Sequence, residues 1–332
     1  MIDFRYHLVS IIAVFLALAV GLVVGSTALS GKAVEALQGA QHLASNRNTA
    51  LTHANNNLTN ELNADQAFAQ AASPYLLRDL LSGQKVVEVL APGYDPAVAA
   101  GVTKALQQAD ATVTGEVIVN PPFASTDGHD EVQLTQLAQN LSTKAGVTLP
   151  AQSSSPVAGQ QAAARVLAAS LLTAGGSGLS SADSTAILKL FSQNGYVSVG
   201  NGASSVSAPA SLAVLIAPGG APPQAGRGVL VALAAALRNA GSGTVMVGGT
   251  KSVGANSVIG AEINAGQVST VDNADTETGQ ILTVQALRQL LDGKSPGHYG
   301  IGPPAAAPSP APTPSVMPTQ TPSPGTSSGG HK

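Results

Sequence analysis

Cysteine and tryptophan are absent from this 332-residue chain, and only 10% of its residues are charged. Without Cys the chain forms no disulfide bond and contains no C-x-x-C metal-binding motif. The net charge of −3 leaves no broad basic face to neutralise phosphates, so we expect no nucleic-acid partner. The six His residues are scattered without H-x-x-x-H spacing, and we therefore predict no metal site and no cofactor.

Charged residues are missing altogether from residues 8–29, where thirteen of the 22 residues are Leu, Ile, Val or Phe. This length exceeds the ~20 apolar residues that cross a bilayer, so we predict a transmembrane helix. A cleavable signal peptide is one alternative, although its apolar region is typically ~7 to 15 residues long. A buried core helix is the other alternative, but such a helix normally has a polar face.

Small residues recur at every fourth position of this helix, at Ala13, Ala17, Gly21 and Gly25. They line one face and let a second backbone approach closely, which predicts self-association through Ala17, Gly21 and Gly25. Ala and Gly are abundant throughout the chain, so chance spacing is the alternative.

The orientation of the helix does not follow from charge, because basic residues flank both of its ends. We place residues 1–7 in the cytoplasm and the remainder on the other side of a single-pass membrane anchor. A short leader followed by one apolar helix and a long remainder is the usual signal-anchor arrangement. The sequence does not distinguish an inner from an outer membrane.

Residues 30–72 are rich in Ala, Asn, Gln and Leu, and no Pro occurs before Pro74. We predict a helical stalk that ends at Ser73 and Pro74. Leu51 and Leu58 belong to a seven-residue repeat typical of a coiled coil, which would support a homo-oligomer. Polar residues occupy the other core positions, so a single helix that folds back on the domain is the alternative.

Val-rich runs alternate with helical segments between residues 84 and 300. Such alternation favours an α/β head with a largely parallel sheet covered on both faces. Residues 301–332 contain nine Pro, which predicts an extended, disordered tail. The strands are predicted at residues 85–90, 112–119, 196–199, 211–217, 244–247 and 267–271.

The head sequence contains no complete nucleotide-binding fingerprint. The closest phosphate-loop fragment is GGTKS at residues 248–252, but Thr250 stands where Gly must precede Lys, so we interpret it as a surface turn. Asp272 and Asp275 lie where a strand passes into a helix. Carboxylates there satisfy free helix amides, and a ligand-facing role is the alternative.

A histidine lies among carboxylates in DGHDE at residues 127–131, a grouping that can bind a ligand or move a proton. His129 is thus a candidate ligand or partner residue, although one His does not make a metal site. No Ser, His and Asp constellation can be assembled, so we predict no catalytic residues and no enzyme activity.

Three landmarks then match a known family in order: MIDFRYH at residues 1–7, VSTVD at residues 268–272 and GHYG at residues 297–300. The chain resembles the MctB family of actinobacterial envelope proteins, named for copper transport across the outer membrane. The resemblance covers about residues 1–300 and implies a membrane-associated protein linked to copper homeostasis. It implies no catalytic or ligand residues.

Two functions follow as hypotheses. The resemblance implies copper transport or homeostasis, although the chain has no Cys and only three Met as soft copper ligands. The alternative is a bitopic scaffold whose stalk dimerises and whose head binds a cell-envelope or cell-division partner. A single apolar helix cannot enclose a pore unaided, so a channel needs oligomerisation.

Overall fold

A computed structural model of the chain describes residues 4–125, 127–149, 157–174, 178–200 and 209–302. The chain divides into two compact units, residues 1–65 and 66–332. Most of the predicted tail, from residue 303 onward, lies outside the described residues. The helices are α1 Phe4–Leu77, α2 Pro96–Gln108, α3 Gly128–Ser142, α4 Ala158–Leu171, α5 Ser181–Gln193, α6 Gln224–Ala240, α7 Val258–Ala265 and α8 Glu277–Leu291. The strands are β1 Lys85–Leu90, β2 Thr112–Val119, β3 Val197–Val199, β4 Leu212–Ile216, β5 Gly243–Val247, β6 Ser269–Val271 and β7 His298–Tyr299.

The described part of the first unit is the portion of α1 that precedes residue 66. Arg5–Ser26 is the one helical stretch of the described residues that is long and apolar enough to cross a membrane, and none of it is buried. The predicted apolar helix is confirmed. The helix continues through the predicted stalk, and Leu51 and Leu58 are exposed in this single chain. The coiled coil stays a prediction.

Helix α1 ends later than its sequence predicts. Pro74 lies inside the helix, which continues to Leu77. Proline removes one helical hydrogen bond, but Leu77 and nearby Leu81 are fully buried in the second unit. Ser73 is also buried and donates to Gln108 Oε1 at 2.8 Å. Tertiary packing therefore extends the helix past the proline.

The second unit contains one seven-stranded sheet in the order β3-β2-β1-β4-β5-β6-β7. Strands β2, β1, β4, β5, β6 and β7 are parallel, and the edge strand β3 pairs antiparallel with β2. The α/β prediction is confirmed. Two elements were not predicted, namely α7 and the two-residue strand β7.

Each face of the sheet packs against its own helices, which explains the continuous apolar strands. On β1, Val87 and Val89 pack into one core with α3, α4, α5 and α6. Val86 and Leu90 pack into the other core with the end of α1, α2 and α8. Glu88 lies between those two residues and is completely buried.

Candidate functional site at the carboxyl edge of the sheet

The direction in which the chain crosses the sheet reverses between β1 and β4. From β1 the chain moves outward to β2, and the later strands β4 to β7 extend in the opposite direction. Ligands of open α/β sheets bind in the crevice at the carboxyl ends of the strands where this reversal occurs. The carboxyl ends of β1 and β4 are therefore the first place to search for a site.

A cleft of about 470 Å³ lies at this reversal. Its walls come from the loops after β1, β2 and β4 and from the start of α6, and five of its ten described lining residues are proline. We call it the proline-lined cleft. Its lining residues are Pro92, Pro121, Pro122, Ala124, Ser125, Asp130, Pro222, Pro223, Gly226 and Leu230.

Hydrogen bonds connect successive loops along the same edge. The N–H of Gly219, after β4, donates to Gly93 O, after β1, at 3.0 Å. Ser252 Oγ, after β5, donates to Pro218 O at 2.9 Å. Further bonds from the β5 loop to the β6 loop, and from the β7 loop to the β6 loop, complete a continuous series. The edge is thus a connected layer rather than a set of independent loops.

Asp272 and Asp275 provide those last two connections. Asp272 is buried and accepts the N–H groups of Ile301 and Gly302 at 2.8 and 2.9 Å. Asp275 is exposed and accepts both the N–H and the hydroxyl of Thr250 at 3.0 and 2.7 Å. The two features singled out in the sequence, the GGTKS turn and the acidic turn, are therefore bonded to each other.

The expectation that these aspartates cap the following helix is wrong. The cap of α8 is Thr276, whose hydroxyl accepts the N–H of Gly279 at 3.1 Å. The aspartate carboxylates instead accept hydrogen bonds from loops that lie 25 to 30 residues away in sequence. Local spacing cannot identify such partners, because only the parallel sheet places these loops side by side.

His129 lies at the other end of the edge. It is exposed in the first turn of α3, and its Nε2 contacts Gln133 at 2.8 Å. Four strand spacings, or about 19 Å, separate β2 from β6, so the sheet does not bring His129 together with Asp272. Among the described residues no three His, Cys, Asp or Glu side chains are grouped to hold a metal ion. Next to His129, Asp130 lines the proline-lined cleft.

Sequence reasoning missed the most perturbed carboxyl group, Glu88. Burial, with a smaller contribution from the negative charge of Glu116, raises its pKa to about 7, although the hydroxyl of Thr103 partly opposes this. Glu116 is its register partner on β2. The available signal was a single Glu inside the otherwise apolar run VVEVL at residues 86–90.

The geometry around Thr103 explains why its hydroxyl opposes the effect of burial on Glu88 only in part. Thr103 Oγ1 lies 2.8 and 3.0 Å from the two carboxyl oxygens and 2.9 Å from Ala99 O. A hydroxyl has one proton and cannot donate to three acceptors at once. The one proton of Thr103 is therefore shared among these acceptors, which limits how far the hydroxyl can stabilise the ionised carboxylate and lower its pKa.

Comparison with known proteins decides the family. A family model described as "Copper transport outer membrane protein, MctB" matches residues 1–310. The chain belongs to the MctB family. Proteins named "Copper transporter MctB" from Mycobacterium tuberculosis (strain ATCC 25618 / H37Rv) and Mycobacterium leprae (strain TN) are similar to it. They are 30% identical over 324 residues and 31% identical over 312 residues, with 91% of this chain and 97% of each relative covered.

Two of the MctB landmarks form one structural unit in the fold. VSTVD includes β6, GHYG includes β7, and the two strands pair in parallel. Thr270 Oγ1 contacts His298 Nδ1 at 3.0 Å, and burial lowers the pKa of His298. Gly300 has a φ of +129°, and a side chain there would collide with Asp272. This part of the family pattern is therefore explained by loop closure.

The apolar helix keeps its row of small residues exposed. Ala17, Gly21 and Gly25 are all exposed, and a Cβ atom built on either glycine meets nothing within 4 Å. The single chain therefore leaves room for a close helix partner at this face.

Proposed function

We propose that this protein acts in copper transport or copper homeostasis at a membrane of the cell envelope, with Arg5–Ser26 as its anchor. One observation carries the proposal: the match to the MctB family extends over residues 1–310 and so includes both the apolar helix and the α/β unit. The related mycobacterial proteins named copper transporters are covered over 97% of their length.

Copper in this proposal is cargo rather than a resident cofactor. Tight copper sites use soft thiolate and thioether ligands, and this chain has no Cys and three Met. We therefore assign the chain no high-affinity copper site of its own and no enzymatic step. Its part is to form or support a path for the ion together with other copies or other envelope proteins.

Self-association is the way in which one helix can contribute to such a path, since a single helix encloses no pore. Close packing at small residues drives association of membrane helices. The exposed row of Ala17, Gly21 and Gly25 fits this role, and the polar helix that follows supports a stalk. In this arrangement residues 1–7 are cytoplasmic and the head lies outside the cytoplasm.

The test is a deletion strain complemented with the full chain. Cell-associated copper is measured by mass spectrometry, and growth is measured across a copper series. We expect the deletion to change copper content and tolerance, and the full chain to restore both. Unchanged copper content and tolerance, with misshapen or chained cells, would reject a copper role and leave the scaffold alternative.

A matched pair of variants tests the helix row in the same strain. Gly21→Leu blocks close helix approach, whereas Ala19→Leu places the same side chain on the opposite face of the helix. We expect Gly21→Leu to lose complementation and Ala19→Leu to retain it. Equal complementation by both variants would reject association through this face while leaving the copper role intact.

A further inference from the structure

The proline-lined cleft is held open by its own walls. Proline fixes φ at about −65°, so loops that contain Pro121–Pro122 and Pro222–Pro223 have few alternative conformations. Arg227 holds one wall by donating to Pro222 O at 3.1 Å and to Asn256 O at 3.0 Å. The Gly219 to Gly93 bond holds the floor. The cleft is thus formed without a ligand.

The lining of the cleft is mostly apolar. Pro, Ala, Gly and Leu form most of the surface, and Asp130 is the one ionisable side chain among the described lining residues. The backbone of Asp130 is held in place because its carbonyl accepts the Tyr196 hydroxyl at 3.4 Å. A carboxylate in the lining of an apolar cleft attracts a cation and repels an anion.

A buried amide lies next to the same wall. Gln160 is fully buried and donates from Nε2 to the carbonyl of the lining residue Ser125 at 2.9 Å. Its Oε1 has no hydrogen-bond partner in the described part of the chain. The side chain that holds this part of the wall thus keeps an unsatisfied acceptor, which is costly when it is buried.

Helix capping alone explains only part of this arrangement. Acidic residues in the first turn of a helix offset its dipole, and Asp127, Asp130 and Glu131 all occupy the start of α3. Asp127 already accepts the N–H of His129 at 2.8 Å, so the cap is complete without Asp130. Dipole stabilisation does not require that one of these carboxylates border an apolar cleft at the reversal point of the sheet.

We propose that the proline-lined cleft binds a small apolar molecule that carries one amine or guanidine cation. Its apolar body packs against the prolines and Leu230, and its cation pairs with Asp130. A cavity of about 470 Å³ lies within the range of small-molecule sites, which is roughly 300 to 1,000 Å³. This inference goes beyond the copper role and does not depend on it.

Two probes of matched shape and opposite charge test the proposal, namely 4-phenylbutylamine and 4-phenylbutyrate. Each is titrated against the full chain in nanodiscs of zwitterionic lipid, with empty nanodiscs subtracted, and binding is followed by saturation-transfer NMR. We expect saturable binding of the amine and at least tenfold weaker binding of the carboxylate. Absence of saturable amine binding, or equal binding of both probes, overturns the proposal.

Two pairs of variants locate the binding. Gly226 lies in the cleft wall, and a Cβ there meets only Ala124 O at an ordinary 3.6 Å, so Gly226→Leu fills the cleft. Gly228→Leu adds the same side chain on an exposed part of α6, where a Cβ meets nothing within 4 Å. We expect amine binding to be lost in the first variant and retained in the second. Equal binding by the two variants would place the amine elsewhere and reject the site.

The charge is tested with Asp130→Asn, which preserves size, and with Glu131→Gln as its neighbour control. Both remove one negative charge from the same helix turn. We expect Asp130→Asn to weaken amine binding at least tenfold and Glu131→Gln to leave it within about twofold. Equal effects of the two substitutions would show a general charge effect and reject the contact with Asp130.

Discussion

Glu88 predicts a measurable link between pH and stability. Its carboxyl group is completely buried, and its pKa is about 7 in the folded protein, against an ordinary value of 4.5. Between these two values the folded protein binds a proton that the unfolded chain has released. The free energy of unfolding therefore falls as pH rises from about 4.5 to about 7 and is independent of Glu88 above that range.

The size of the effect follows from the two pKa values. A difference of one pH unit between the folded and unfolded pKa corresponds to ~1.4 kcal/mol. The interval from 4.5 to about 7 therefore corresponds to about 3 kcal/mol of stability lost. This is a large fraction of the ~5 to 15 kcal/mol that stabilises a typical domain. Loss of a proton at Glu88 is thus expected to loosen the packing between β1 and α2.

The assay is urea unfolding of the full chain in detergent between pH 4 and pH 8. Tyrosine emission reports on the second unit because Tyr196 and Tyr299 are buried there. Other buried groups also titrate, so the measured quantity is the stability of the wild type minus that of Glu88→Gln. We expect this difference to decrease by about 3 kcal/mol from low to high pH. A difference that is constant to within about 1 kcal/mol would refute the reasoning.

Three variants refine the assignment of the Glu88 pKa. The hydroxyl of Thr103 lowers this pKa, so Thr103→Val should extend the pH-dependent range upward. The charge of Glu116 raises it, so Glu116→Gln should end the range at a lower pH. The exposed Glu61 is the control, and Glu61→Gln should leave the profile unchanged. A shift in the wrong direction for either neighbour would contradict the assigned causes.

Three further predictions concern the loops and the stalk. Asp272→Ala leaves the N–H groups of Ile301 and Gly302 without their acceptor and should lower the unfolding free energy by about 3 kcal/mol. Asp275 is exposed, so Asp275→Ala should cost less than about 1 kcal/mol. Equal losses in urea unfolding would contradict this prediction. Gly300→Ala should cost about 1 to 3 kcal/mol in the same measurement, because of its positive φ and the collision with Asp272, and wild-type stability would disprove the strain. The predicted coiled coil is tested by oxidising the Leu51→Cys variant in membranes, which should yield a disulfide-linked dimer on a non-reducing gel. The Asn56→Cys variant, on the opposite face of the helix, should yield several-fold less dimer. Monomer alone from both variants would argue against the coiled coil.

Much of the architecture is determined by short segments of sequence. The run in Arg5–Ser26 is too apolar to form a surface helix of a soluble domain. Its length and composition suffice to predict the helix and its candidate span. Strand β4 is a continuous apolar run, and β1 is one except for Lys85 and Glu88, so their burial on both faces is largely a local property. The resemblance to MctB likewise rests on short landmarks, and the family match over residues 1–310 confirmed it.

The elements that the sequence did not reveal are those stabilised by residues that are distant in sequence. The strand β7 has only two residues and is held by pairing with β6 and by Asp272, which lies almost 30 residues earlier. Pro74 ends a helix by local rules, yet burial of Leu77 carries α1 past it. In both cases a tertiary contact outweighs a local preference, because its energy is absent from the segment considered alone.

The candidate sites divide in the same way. The sequence identified Asp272, Asp275 and His129 as polar residues in turns. Only the order of the strands decided that the aspartates close loops and that His129 lies far from them. The cleft itself combines prolines from loops after three different strands, and Glu88 acquires its high pKa from a helix and a second strand packed over it. Composition and periodicity record which residues are apolar. The environment of a charge, and hence its chemistry, is created only when distant segments meet.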